Sequence, residues 1–361
     1  MRLWSTVLVV LVLVLVRAKA DDGFVSTRGQ QLILNGSPFY ANGFNAYWLM
    51  YFGSDPSQRN KVSSAFEEAV KHGLSIGRTW AFSDGGDSPL QYSPGSYNEK
   101  MFQSILTRIN SFTGVAYKDD PTIMAWELMN EPRCPSDPSG NTIQAWIREM
   151  GSYLKSIDGK HLLEAGLEGF YGQSRNQGNP NFQVGTDFIA NNQIPEIDFA
   201  TVHSYPDQWL TGSTNQNQLS FLNTWLNEHI QDAQNILHKP VLFAEFGKST
   251  KNSASDQRDQ LYNAVYSAVY SSARGGGAAV GGLFWQLLVE GMDSFRDGYE
   301  VILSENPSTA NLISQESRRL IRIRKMYARL RNIEKLKRAK EIGRAEWEEA
   351  LKGGNNNSPG N

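Results

Sequence analysis

Seven short runs of mostly apolar residues, each ending near polar or aromatic side chains and separated by helix-length segments, constrain this sequence more than anything else in it. The clearest is Thr122 to Arg133, T-I-M-A-W-E-L-M-N-E-P-R, in which the run Ile123 to Met129 stops at Asn130, Glu131 and Pro132. A mostly apolar run predicts a strand buried on both faces, as in a parallel sheet. Proline has no N–H to give to a ladder, so the strand ends there. Val241 to Gly247, V-L-F-A-E-F-G, repeats the pattern and delivers one carboxylate, Glu245, at its end. The other predicted strands are Tyr40 to Trp48, Leu74 to Phe82 (carrying Arg78, Thr79 and Trp80), Leu162 to Phe170 (ending in Glu168 and Phe170), Phe199 to Tyr205 (ending in His203, Ser204 and Tyr205) and Gly282 to Leu288 (bearing Trp285). Helical segments at Ser57 to His72, Thr142 to Ser156, Gln218 to Leu237 and Asp256 to Ala273 lie between them. This alternation predicts a parallel sheet with right-handed crossovers. The polar residues gather at strand ends, which favours a closed α/β barrel of the TIM type over an open sheet. An open doubly wound sheet would carry a glycine-rich phosphate loop opening a helix. Gly275 to Gly277 instead precedes a strand.

The first twenty residues stand apart. Arg2, the apolar core Val7 to Val16 and the A-x-A site Ala18-Lys19-Ala20 read as a secretory leader, residues 1–20. Its apolar core is too short to span a bilayer. The expected mature protein is therefore secreted and free of the membrane. A net charge of −2 argues against a general nucleic-acid binder. The lone cysteine, Cys134, leaves no internal disulfide, so stability must come from the core. Residues Asp21 to Phe39 predict a small hairpin turning at Asn35-Gly36, and Asn35-Gly36-Ser37 also spells a glycosylation sequon. The five histidines show no ligand spacing and there is no cysteine cluster, so no metal site is expected.

Two strand-end glutamates are the equipment with which glycosidic bonds are cut. The surrounding segments carry a closer resemblance. G-F-N-A-Y-W-L, R-T-W-A-F-S-D-G-G, W-E-L-M-N-E-P-R-C, G-L-E-G-F-Y-G, F-A-T-V-H-S-Y-P, F-A-E-F-G-K-S and G-L-F-W-Q-L-L resemble plant endo-β-1,4-mannanases of glycoside hydrolase family 5, from about Asp22 to Asn332. The resemblance implies a (β/α)8 barrel at 21–332 and secreted, retaining endo-hydrolysis of mannans, glucomannans and galactomannans in the cell wall, with no metal or organic cofactor. It makes Glu131 the general acid/base and Glu245 the nucleophile, with the negative charge of the nucleophile raising the pKa of the acid. Arg78 and Tyr205 would hold the nucleophile, His203 would belong to the network around the acid, and Asn130 would meet the sugar 2-hydroxyl. Trp285 would floor the −1 sugar, and Trp48, Trp80 and Glu168 would line the cleft. A β-1,4-glucanase of the same clan and a non-catalytic mannan-binding paralogue remain as alternatives.

The chain departs from that family in two places. Between Phe82 and Thr122 one helix candidate, Asn98 to Phe112, is found and no apolar strand. The third barrel strand is missing, with parts of its flanking helices, at a junction near residues 102–106. Seven strands remain where a closed barrel of this type uses eight. At the other end, 333–361 is a charged helical and flexible tail whose basic start continues from the stretch Arg318 to Arg331, a basic face that suits association with acidic wall polymers.

Overall fold

The computed structural model describes residues 23–81, 89–93, 95–172, 175, 178–251 and 253–354. The leader expected at 1–20, the end of the second predicted strand at Phe82 and the last residues of the tail, 355–361, lie outside these.

The chain opens with a three-stranded antiparallel meander, β1 (Ser26–Arg28), β2 (Gln31–Leu34) and β3 (Ser37–Phe39), one strand more than the expected hairpin. Asn35 and Gly36 turn it with φ of 51° and 69°. Asn-Gly is the dipeptide that adopts paired positive φ at least cost. The barrel strands follow: β4 (Ala41–Asn45), β5 (Ile76–Arg78), then, after a small hairpin β6 (Gln91–Ser93) and β7 (Ser96–Tyr97), β8 (Ala125–Glu127), β9 (Leu162–Glu164), β10 (Ala200–Ser204), β11 (Val241–Phe246) and β12 (Ala279–Phe284). A short parallel pair, β13 (Leu287–Leu288) and β14 (Val301–Ile302), completes the set.

Five of the barrel strands form one parallel sheet in the order β10-β11-β12-β4-β5. The last barrel strand thus lies beside the first, the adjacency that closes a barrel rather than ending an open sheet. β8 and β9 form a separate parallel pair. Two backbone bonds tie that pair to the larger sheet, from Asp198 N to Leu163 O (2.8 Å) and from His203 N to Glu168 O (2.9 Å). On its other side no ladder joins β5 to β8 among the described residues. There the connection is made by side chains, the Arg78 guanidinium gripping the Glu127 carboxylate. This interval, in which 82–88 and 94 lie outside the described residues, is where the sequence leads one to expect the third strand to be missing.

Burial follows the gap. β4, β10, β11 and β12 are buried at every residue, whereas β5 and β8 are nowhere fully buried. The segment between them forms a helix, Glu99–Leu106, shorter than predicted. Thr107 caps its end, and Asn110 and Gly114 then build a turn: the Asn110 side chain accepts from Phe112 N at 2.9 Å, and Gly114 takes φ of 70°. Phe112 is left 94% exposed, as a side chain would be whose cover has been removed.

The core divides accordingly. One cluster packs Phe44, Val202, Phe243, Phe246 and Phe284 beneath the helices Asn215–Asp232 and Ser255–Gly275. A second joins Leu128, Leu163 and Leu167 to Ile143, Ile147 and Leu154 of the helix Asn141–Ile157. A third, made by Leu32, Phe39, Ala41, Leu162, Leu242 and Val280, gathers the starts of the strands against the meander. Plugging that end leaves the opposite, carboxyl end free for a site.

The final helix runs unbroken from Pro307 to Gly354, across the boundary at 332/333 drawn from sequence. Asn42 donates to Ile313 O at 2.9 Å, Arg319 lies 3.8 Å over the Tyr270 ring, and Arg331 reaches Asn35 O at 2.9 Å. Beyond Arg331 the large apolar side chains, Ile333, Leu336, Ile342 and Trp347, are exposed. Among the described residues no helix is long and apolar enough to cross a membrane.

Candidate active site

Glu131 lies four residues past β8 in the left-handed region, with φ of 52°. A non-glycine residue there is uncommon and costs of order 1–3 kcal/mol, which the surroundings must offset. Its N–H donates to Gly166 O at 2.9 Å, and Gly166, itself at φ of 81°, leaves no room for a Cβ against Met129 O. The strained turn swings the carboxyl inward, where Oε1 meets His203 Nδ1 at 2.7 Å. Glu245, the fifth residue of β11, points to the same place and is only 4% exposed against 29% for Glu131. Tyr205 donates to its Oε2 at 2.6 Å and Arg78 Nη1 to its Oε1 at 2.5 Å. Carboxylate oxygens of Glu131 and Glu245 and a ring nitrogen of His203 all lie within 4.8 Å of one another.

Arg78 is the hub. Beyond Glu245 it donates through Nε and Nη2 to both oxygens of Glu127 (2.5 and 2.6 Å), through Nη1 to Asn45 Oδ1 (2.8 Å) and through Nη2 to Asn130 Oδ1 (2.7 Å). Asn45 in turn donates to Ala244 O at 2.8 Å, tying the hub to β11. Removing one partner of a buried ion pair strands the other charge. Arg78→Met should therefore lower the unfolding free energy by about 3–5 kcal/mol. Denaturant unfolding checks this, and a loss near zero would contradict the hub.

The charges set the protonation states. Burial alone would raise the pKa of Glu131, but the hydrogen bond and charge of His203, with Arg133 and Arg78, hold it below the ordinary carboxylate value. This corrects the expectation that its neighbour's negative charge lifts it. The group that is lifted is His203: burial acts to lower it, and the charge of Glu245 with the hydrogen bond and charge of Glu131 outweighs that. The pair therefore holds its proton between Oε1 and Nδ1. Burial, then the charge of Glu245, keeps the Tyr205 phenol far above its ordinary range, so it stays a donor.

The aromatic assignments divide. Trp285 and Trp80 are half-buried, with Tyr47 between them: Tyr47 stacks on Trp285 at 5.7 Å and 6° and meets Trp80 at 5.2 Å. Trp48 does not join this surface. It is 0% exposed, donates to Leu287 O at 2.9 Å and packs edge-on against Phe52. Both residues sit in the turn after β4, with Trp48 in the right-handed helical region, and that turn puts Tyr47 on the cleft side and Trp48 in the core. Glu168 is buried beneath the surface and grips Arg133 through both oxygens at 2.5–2.6 Å. Arg133, 5.6 Å from the Phe170 ring centroid, is the partly exposed member of that pair. Cys134 meets Ser136 Oγ at 3.3 Å and lies outside this network.

Residues the sequence reading passed over are Glu127, Glu164, Asn45, Tyr47 and Arg133. A glutamate inside an apolar run, as in A-W-E-L and L-L-E-A, is the signal that could have found the first two, since buried carboxylates need partners.

Comparison with known proteins gives this geometry its context. A family model, GH family 5 beta-mannosidase-like, matches residues 99–292, more than half of the chain. Mannan endo-1,4-beta-mannosidase 7 of Arabidopsis thaliana is 55% identical, covering 90% of this chain and 92% of its own. Mannan endo-1,4-beta-mannosidase 1 of Oryza sativa is 52% identical over 86% and 88%. The alignment with the Arabidopsis protein runs over 396 positions, more than the 361 residues of this chain, so that relative holds internal sequence this chain lacks. Among solved structures, the endo-1,4-beta-mannanase of Rhizomucor miehei superposes with a TM-score of 0.67 at 27% identity, covering 83% of this chain and 99% of that one. The carboxylate pair thus stands on the scaffold its sequence implied, and the chain belongs to the mannan endo-1,4-β-mannosidases of glycoside hydrolase family 5.

Proposed function

We propose that the chain hydrolyses internal β-1,4-mannosidic bonds of mannan, glucomannan and galactomannan by retaining double displacement. The observation that carries this is the approach of Glu131 and Glu245, with carboxylate oxygens within 4.8 Å. Retaining enzymes hold their two carboxyls about 5–5.5 Å apart, and inverting ones leave about 6.5–9.5 Å for a water. Glu245, held by Arg78 and Tyr205, attacks the anomeric carbon. The proton of the Glu131–His203 pair goes to the leaving oxygen, and Glu131 then takes a proton from the water that releases the sugar. Proton NMR of the first-formed product tests the stereochemistry: β-mannose ends support retention, and α ends contradict it.

The face formed by Tyr47, Trp80 and Trp285 suits the flat side of a sugar ring. Trp285→Ala is expected to lose about tenfold in kcat/KM, or 1.4 kcal/mol of transition-state binding. Trp48→Ala should instead lose about 3–5 kcal/mol of stability with KM unchanged. Kinetics and thermal melts of the two proteins check the division.

We further infer that residues 1–20 direct secretion to the cell wall, leaving a catalytic domain at 21–332. The leader's n-region, apolar core and A-x-A site support this. The basic stretch from Arg318 to Arg331, continued by Lys335, Lys337, Arg338 and Lys340 in the tail 333–361, supports association with acidic wall polymers. Retention on a polyuronate matrix that is lost in salt supports that association, and retention indifferent to salt contradicts it.

A further inference from the structure

Glu164 ends β9 directly opposite Glu127 in the parallel ladder, and the two carboxyls meet over Gly166: Glu164 Oε2 accepts from its N–H, and Glu127 Oε1 lies 2.9 Å from where a Cβ on it would sit. Glu164 is buried, and Glu127 is partly buried. Two ionised carboxylates have only acceptors to offer, so a hydrogen bond between them requires one proton. The surrounding donors show which carboxyl carries it. Both oxygens of Glu127 are already taken by Arg78 Nε and Nη2, so Glu127 is the anion. Glu164 Oε2 accepts from Gly166 N at 2.5 Å and from Thr201 Oγ1 at 3.1 Å, which leaves Oε1 for the proton.

We propose that Glu164 is a positioning residue for the nucleophile: as a neutral acid donating to Glu127, it keeps Arg78 shared between Glu127 and Glu245. This rests on the retaining reading given above. The physical reason is charge. One guanidinium faces Glu127, Glu245 and Glu164, and a second full negative charge at the Glu127 side would draw it away from the nucleophile. The groups facing Glu164 are Glu127 from β8, Arg78 from β5 and the uncharged Thr201 from β10, while His203 acts on Glu127 from farther off. Burial, then the charge and hydrogen bond of Glu127, lift Glu164 far above the ordinary carboxylate range. Burial opposes the ionisation of Glu127, but the charge and hydrogen bonds of Arg78 prevail and keep its pKa low.

The test compares Glu164→Gln, which keeps a neutral donor, with Glu164→Leu, which keeps the bulk and removes the donor. Kinetics on glucomannan, infrared spectra and crystal structures are compared for the mature chain and both variants. Glu164→Leu should lower kcat by about 10–100-fold with KM within about threefold, and Glu164→Gln should restore kcat to within about threefold of the parent. Burial raises Glu316 to about 7, so it contributes a protonated-acid carbonyl stretch of its own at neutral pH. The Glu164 band should therefore appear as a loss in the difference spectrum of each Glu164 variant against the parent, and be retained in Glu131→Gln. Equal kcat in all three proteins, whatever their melting temperatures, overturns the proposal. So does a Glu164-variant difference spectrum with no lost carbonyl band, or a Glu164→Leu structure in which Arg78 still bridges Glu127 and Glu245 unchanged. If the parent hydrolyses nothing, the enzyme reading falls, and the band and the Arg78 contacts still decide the role of Glu164.

Discussion

Glu245→Ala should abolish hydrolysis of mannan while leaving the fold intact. Removing a covalent nucleophile costs on the order of 10⁶-fold in kcat in a well-studied serine hydrolase, because nothing else in the site can form the bond. The side chain is held by Arg78 and Tyr205 and by no ladder bond, so its loss leaves the β10–β11–β12 pairing untouched. The cavity so made also gives a chemical readout. With an activated aryl mannoside, azide can enter from the face Glu245 vacates and give the α-mannosyl azide. The β-azide from this variant would mean that Glu245 is not the nucleophile.

Glu131→Ala should separate by leaving group. General acid catalysis contributes typically about 10²–10⁴-fold. The loss should therefore approach that range on mannan, whose leaving alcohol needs a proton, and shrink toward parity in the first step on aryl mannosides with good leaving groups. In the parent, the proton belongs to the Glu131–His203 pair, and a coupled pair titrates as a unit. His203 is raised above its ordinary value of 6.5, so the protonated pair is present below that value and is lost as pH rises through the higher one. kcat/KM should decline along that alkaline limb. In His203→Asn the proton would rest on Glu131 alone, freed from the imidazole that lowers it, and the limb should move to lower pH. An unchanged limb in His203→Asn would contradict the pair. The stability linkage has the same sign: the part due to His203 is complete below pH 6.5 and is lost as pH rises through the folded value.

What could be read from the sequence was what strands advertise. The apolar runs around Val202, Phe243 and Phe284 were legible because both faces of those strands are buried. Their ends were overdrawn, since Phe170 and Tyr205 continue past the last ladder bond toward the site. The pairing of Glu131 with Glu245 came from position at strand ends together with family resemblance, and the absent strand came from resemblance too. The hub was not legible. Arg78, Glu127 and Glu164 come from three separate strands, and no spacing in one dimension shows that Arg78 bridges a gap in the sheet. Tyr47 was missed for Trp48 because a tryptophan beside a strand end looks like a sugar platform, whereas the direction in which the chain leaves β4 decides which ring faces the cleft. The protonation of Glu131 does not follow from its neighbouring carboxylate because the hydrogen bond and charge of His203, which arrives from another strand, outweigh it.

The absent strand makes the central claim a demanding one. Among the described residues no ladder joins β5 to β8, and Arg78, the residue that steadies the nucleophile, also spans that gap. Release of reducing ends from glucomannan by residues 21–361, with cellulose as the comparison polymer and Glu245→Ala as the control, tests the account most directly. Turnover of glucomannan, far slower turnover of cellulose and none by the variant is the expected result. A folded parent that releases nothing from glucomannan, or no more than the variant does, would contradict it.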